Sequence, residues 1–181
     1  MRHWIKILII LLLSPGLYAQ QIRSVSTTWS GDWQNWTIYT GQGTGRLETM
    51  WSGDPYEWKF SVGNVSGRIS SVWSQDDTEW KLTSNHYGCR ISQVWSDDWH
   101  EWRIRCDSMS VRLSTQWSGD DAWDTWRAKS DKGQMVIRTR LSGDWTQWTV
   151  EDNMQASMPD KIAIIFIAIY TAQKQAKNQQ K

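Results

Sequence analysis

The sequence predicts an all-β protein: an antiparallel meander of about twelve strands from six 22-residue Trp-rich hairpin repeats, closed into a barrel around a C-terminal apolar helix. Three observations predict it. The 181 residues hold 16 Trp against 2 Phe and 3 Pro, an imbalance that marks one Trp-bearing unit copied several times. Those Trp recur at a constant step, and a regular self-similar period is the signature of a repeated supersecondary unit. Finally, the run Ile162 to Tyr170 is apolar on every side, which a helix can be only if it is buried all round.

The chain begins with a segment that reads as a secretory signal peptide over residues 1–19. Arg2, His3 and Lys6 form a basic start, Ile5 to Leu13 an apolar run, Ser14-Pro15-Gly16 a helix break, and Ala19 a small residue at the cut. The apolar run is far below the roughly 20 residues of a membrane span. The expectation is therefore an exported protein (periplasm, outer surface or secreted) that does not span a membrane once the signal is cleaved. The chain carries 20 basic and 19 acidic residues; without Arg2 and Lys6 the balance is 18 against 19. No basic excess is left for nucleic acid, and no acid run suggests a disordered tail.

Residues 22–153 form the repeat domain. The first Trp of each unit falls at Trp29, Trp51, Trp73, Trp95 and Trp117, with Leu141 in the sixth copy. The second falls at Trp36, Trp58, Trp80, Trp102, Trp126 and Trp148. Between them stands Ser-Gly-Asp or a near copy, and Gly, Asp and Ser form turns because they tolerate positive φ or bond their own backbone. In Arg90–Ser96 and Glu101–Asp107, alternation sets Ile91, Gln93, Trp95, Trp102, Ile104 and Cys106 on one face. Period two with one apolar face is the half-buried antiparallel pattern. Setting Trp95 opposite Trp102 places Arg90 opposite Asp107. Carried along the chain, this register lines all eleven repeat Trp and Leu141 along one inner stripe. It also puts Cys89 and Cys106 diagonal to one another. That favours two small buried thiols over a disulfide, which an oxidising compartment would nevertheless permit.

The main rival, a β-solenoid, would stack Arg46, Arg68, Arg90 and Arg112 in a like-charge column about 4.8 Å apart, so the meander is favoured. Closing it hides both the Trp face and the two edges. Twelve strands tilted by about 40° give a radius near 12 Å, and inward indoles leave room for one helix. Residues 157–175 supply that helix: Ser157 reads as an N-cap, Pro159 lies in the first turn, and Asp160 takes the capping-box position. A thirteenth strand is the alternative for this Ile-rich run. Residues 176–181 form a polar tail. An outer-membrane barrel is disfavoured, since its strands need about 9–11 residues.

Twelve antiparallel strands followed by the apolar Ile162–Tyr170 segment resemble the tubby and LURP-one-related fold, in which a closed barrel surrounds such a helix. The resemblance is one of architecture and covers residues 22–175. Tubby-like domains bind membrane phosphoinositides through basic surface residues, and no such residues carry over to this near-neutral, exported chain.

No nucleophile motif, phosphate loop or metal-ligand spacing occurs in the sequence. His86 and His100 fall in turns at opposite ends of their strands. The expectation is a non-enzyme, without cofactor or metal, acting as a binding or structural module of the cell envelope. Its partner would be an envelope component or a glycan. Four turns hold an additional Trp: Trp33, Trp99, Trp123 and Trp145. With the turn acids Asp32, Asp98 and Asp144, these are the candidate ligand-binding residues of a lectin-like alternative, in which indoles stack sugars and carboxylates accept hydroxyl hydrogen bonds. The bland alternative is that Asp closes the turns and these Trp fold over the barrel mouth.

Overall fold

The computed structural model describes residues 21–117 and 120–179. The expected signal peptide and the Ser118-Gly119 pair of the fifth repeat lie outside the described residues. Twelve strands run in chain order: β1 (Ile22–Thr27), β2 (Asn35–Thr40), β3 (Thr44–Thr49), β4 (Glu57–Val62), β5 (Val65–Ser71), β6 (Glu79–Ser84), β7 (Tyr87–Gln93), β8 (Glu101–Cys106), β9 (Ser110–Thr115), β10 (Thr125–Ser130), β11 (Gly133–Thr139) and β12 (Gln147–Met154). Each pairs antiparallel with its neighbours in sequence, and β1 pairs with β12 through Val25 and Trp148 to close the barrel. Coiled, stacked repeats are thereby excluded. A single helix, α1 (Met158–Gln179), follows. It runs four residues beyond the predicted end, because Gln, Ala and Lys are good helix formers.

Helix α1 threads the barrel. Ile162 to Ile169 are at most 1% exposed, and Phe166 meets Trp80 and Trp58 edge-on at 4.9 and 5.7 Å. Its entry is held by a reciprocal capping box: the Ser157 amide donates to Asp160 at 3.0 Å and the Asp160 amide to the Ser157 hydroxyl at 3.4 Å. The buried Asp160 carboxylate also accepts from Tyr87 and from Ser108. Beside it Lys161 and Asp152 form a buried ion pair of 2.8 Å, and Asp152 accepts the amide of Ile22 as well. Both charges are thus paired where an unpaired one would be costly. Among the described residues no helix is long and apolar enough to cross a membrane. The outer strand face carries Arg46, Lys59, Arg68, Lys81, Arg90 and Arg103, all exposed, the reverse of a lipid-facing apolar band.

The stripe is half as wide as expected. Trp36, Trp58, Trp80, Trp102, Trp126 and Trp148 are 0–2% exposed, one per hairpin, and form the inner girdle. Trp29, Trp51, Trp73, Trp95, Trp117 and Leu141 are instead 61–69% exposed. The cause is register. Trp102 pairs with Gln93, not Trp95, and Arg90 with Arg105, not Asp107. The short connections close tightly as two-residue hairpins, with Gly63 and Asn85 at φ +57° and +51°. The strands therefore stop before the first Trp is reached. Like charges such as Lys81 and Arg90 then face each other directly, and the acids act along the diagonal: Glu79 pairs with Arg90 and Glu101 with Arg112. The same shift sets Cys89 opposite Cys106, with Cα atoms 4.0 Å apart, and the two form a disulfide. Diagonal free thiols are thus corrected to a bonded, directly opposed pair.

Candidate functional site: the long-loop rim

Successive strands run in opposite directions, so the connections β1–β2, β3–β4, β5–β6, β7–β8, β9–β10 and β11–β12 all gather at one end. These are the long loops; five share one construction, and β9–β10 carries a 3-10 turn over Asp120–Asp124. The Asp32 amide donates to the carbonyl of Trp29 at 3.1 Å, closing a four-residue turn; Asp54, Asp76, Asp98 and Asp144 repeat it at 3.0–3.3 Å. The third turn residue has positive φ in each: Gly31, Gly53, Gln75, Asp97 and Gly143, which is why Gly is the common choice there. The Asp carboxylate then accepts the amide two residues on, from Gln34, Tyr56, Thr78, His100 and Thr146 at 2.8–3.0 Å. The buried Trp completes the loop. Its indole N–H donates to the carbonyl three residues back, from Trp36 to Trp33 at 3.0 Å and likewise in all six repeats.

This construction decides which indoles face solvent. The first residue of the turn has left the strand, so its side chain stands outside at the tip. The additional Trp sits after the turn, where the chain bends back over the mouth. Trp33, Trp99 and Trp123 pack edge-on or tilted against Trp36, Trp102 and Trp126 at 6.3, 5.7 and 6.0 Å. His100 stacks on Trp123 at 4.2 Å, and the Lys174 ammonium lies 3.8 Å from the Trp99 ring centroid. Trp145 donates its indole N–H to Asp124 at 2.7 Å. The end of α1 is tied into the same seal: Gln173 donates to the carbonyl of Trp33 at 2.9 Å, and Lys174 pairs with Asp77. These four Trp are therefore mouth-sealing residues rather than open platforms. Asp32, Asp98 and Asp144 likewise spend a carboxylate oxygen inside their own loops.

Adjacent loops leave a furrow between them, and the furrow recurs. One copy, about 660 Å³, lies between Tyr56 and Glu57 of one loop and Ser70, Ser71, Trp73 and Ser74 of the next hairpin. A second, about 420 Å³ and 22 positions further along, is formed by Thr78 and Glu79 with Ser92, Gln93, Trp95 and Ser96. A third, about 630 Å³, crosses the closing seam between Thr146 and Gln147 on β12 and Ser26, Thr27 and Ser30 beside β1.

Electrostatics hold this surface anionic. The Arg90 guanidinium, assisted by the Trp73 indole N–H at 3.2 Å, keeps the Glu79 carboxyl below the usual carboxylate range. Hydrogen bonds from Thr78, first its hydroxyl and then its amide, do the same for Asp76. Burial, and after it the charge of Asp77, pushes the phenols of Tyr56 and Tyr170 upward, so both remain neutral donors. At the opposite end Cys89, Cys106 and Asp160 lie close enough to suggest a metal site, but their sulfurs are joined to each other.

Sequence reasoning missed the exposed Trp as surface residues. A signal was available: each stands immediately before Ser-Gly-Asp or a near copy, and Gly31 and Gly53, after Trp29 and Trp51, announce a positive-φ turn rather than a continuing strand. Comparison with protein families, with curated proteins and with solved structures finds no match to this chain. These comparisons neither bear out nor overturn the expected resemblance to tubby-like domains, which assigns no residue to the rim.

Proposed function

We propose that the protein is an exported, non-catalytic binding module of the cell envelope, with the long-loop rim as its binding face. One observation carries the reading: Trp29, Trp51, Trp73, Trp95, Trp117 and Leu141 are 61–69% exposed at one end of the barrel, all but Trp117 at the tips of loops built to one plan. Each such side chain left in water forgoes about 1.5–3 kcal/mol of burial. Large exposed apolar side chains repeated around one end of a folded protein make that end its candidate interaction surface. Their supports are rigid hydrogen-bonded turns, so little ordering cost is added on binding. Export rests on the signal-like residues 1–19. The acidic rim is the wrong sign for the anionic headgroups of a phosphoinositide surface.

The test is cosedimentation of the purified protein with washed cell envelopes, beside a variant carrying Ser at Trp29, Trp51, Trp73, Trp95 and Trp117. The native protein should pellet with the envelopes and the variant should stay in solution, with both unfolding at the same temperature. Equal pelleting of the two would refute the rim as the binding face. Retention of the full-length chain inside the producing cell would refute export.

A further inference from the structure

We propose that each furrow between adjacent long loops is a subsite for one pyranose ring, and that the rim binds a neutral, hydroxyl-rich glycan through several such subsites at once. This deepens the reading of the rim as a binding face and rests on it.

The furrows carry the chemistry a sugar needs. A pyranose offers an apolar face of ring C–H groups and an edge of hydroxyls, each both donor and acceptor. Trp73 and Trp95 offer exposed indoles at two furrows, and Tyr39, 41% exposed, offers a phenol ring at the third. Around them stand groups that exchange hydrogen bonds with hydroxyls: Ser70 and Ser71 with Glu57, then Ser92 and Thr78 with Glu79, then Ser26 and Thr146 with Gln147. Glu79 is held ionised, and a carboxylate accepts hydroxyl protons more strongly than a neutral oxygen does. Trp73 of the first furrow donates its indole N–H to Glu79 of the second at 3.2 Å, so adjacent furrows are fixed relative to one another.

Charge selects among glycans. The loops present Asp54, Asp76, Asp77, Asp97, Asp98 and Asp124 around the same end, outnumbering Lys81 and Arg140, which line two of the furrows; the excess of acid repels uronates, phosphorylated glycans and anionic lipid. Repetition supplies strength. Equivalent furrows lie two strands apart, about 10–13 Å along the rim for strands spaced about 4.8 Å and tilted by about 40°. One subsite of this shallow kind binds weakly, while engagement of several by one chain raises avidity by about 10²–10⁴-fold.

The experiment is a titration of the purified protein, followed by calorimetry and Trp fluorescence. Its probes are hexasaccharides of glucose, mannose, galactose and N-acetylglucosamine, the matching neutral polysaccharides, polygalacturonate, and vesicles of phosphatidylcholine alone or with phosphatidylglycerol. At least one neutral hexasaccharide should bind, its polysaccharide should bind about 100-fold more tightly per chain, and polygalacturonate should not bind. Trp95→Ala with Glu79→Gln, both lining the second furrow, should lower the number of hexasaccharide sites by one and leave the affinity of the others unchanged. Trp95→Phe should retain part of the lost site. Absence of binding to every neutral glycan would overturn the proposal. So would unchanged stoichiometry in the double variant. If vesicles, or a second copy of the chain seen as a dimer by sedimentation, depend on the rim Trp while glycans do not, the glycan subsites fail and the binding face survives. Indifference of envelope binding to the five Trp sinks both.

Discussion

Replacing Phe166 with alanine removes the ring on which the barrel closes. Its side chain is fully buried and meets Trp80 at 4.9 Å and Trp58 at 5.7 Å, both edge-on, with Tyr170 tilted at 5.6 Å. Truncating a buried Phe costs about 3–5 kcal/mol, rising with the cavity that remains. Collapse is resisted here because the wall is a closed ladder in which every strand is hydrogen-bonded on both sides. Each edge-on aromatic pair adds about 0.5–1.5 kcal/mol. The expected loss is therefore toward the top of the range, about 4–5 kcal/mol, against a total stability of about 5–15 kcal/mol. For a chain of this size that lowers Tm by roughly 10–20 °C. Urea unfolding followed by Trp fluorescence measures it directly, because the girdle indoles report the same cavity. Phe166→Leu keeps most of the volume and should cost less than about 1.5 kcal/mol. A loss under about 1 kcal/mol for Phe166→Ala, or equal losses for the two variants, would refute a helix packed inside a closed wall.

Three further outcomes are expected. Trp80→Ala should cost about 3–5 kcal/mol, whereas Trp73→Ala, seven residues earlier but 61% exposed, should stay within about 0.5 kcal/mol; similar losses would contradict the two-layer division of the Trp. Changing Cys89 and Cys106 together to Ala should lower stability by up to about 3 kcal/mol, the loop-closure value for their separation of 17 residues, and thiol labelling of the native protein before reduction should find neither cysteine. Asp76 and Glu79 titrate lower in the folded chain than in the unfolded one, so their contribution is complete above about pH 4.5. It is lost as the pH falls through their depressed folded values, and Asp76→Asn with Glu79→Gln should flatten the acid limb of a plot of stability against pH.

The sequence by itself determined the architecture: the step from Trp29 to Trp117 counts the hairpins, alternation in segments such as Arg90–Ser96 and Glu101–Asp107 makes them antiparallel strands, and the all-round apolar Ile162–Tyr170 demands enclosure. Those features are legible because burial needs are periodic along the chain, and a barrel closed on a helix meets all of them together. Only the tertiary structure decided which Trp of each repeat is inside. Alternation assigns a face only to residues that belong to a strand, and it is silent on where the strand ends. That boundary comes from hydrogen bonds closed in space, the Asp carboxylate to the backbone and the inner indole to the carbonyl three residues back. Those bonds pull Trp29 and its counterparts out of the ladder. The long β7–β8 loop, built this way, then sets the register that joins Cys89 to Cys106. A shift of two residues, as across β7–β8, or of four, as across β8–β9, preserves every face while changing every partner, so no pattern of polarity could have distinguished the registers.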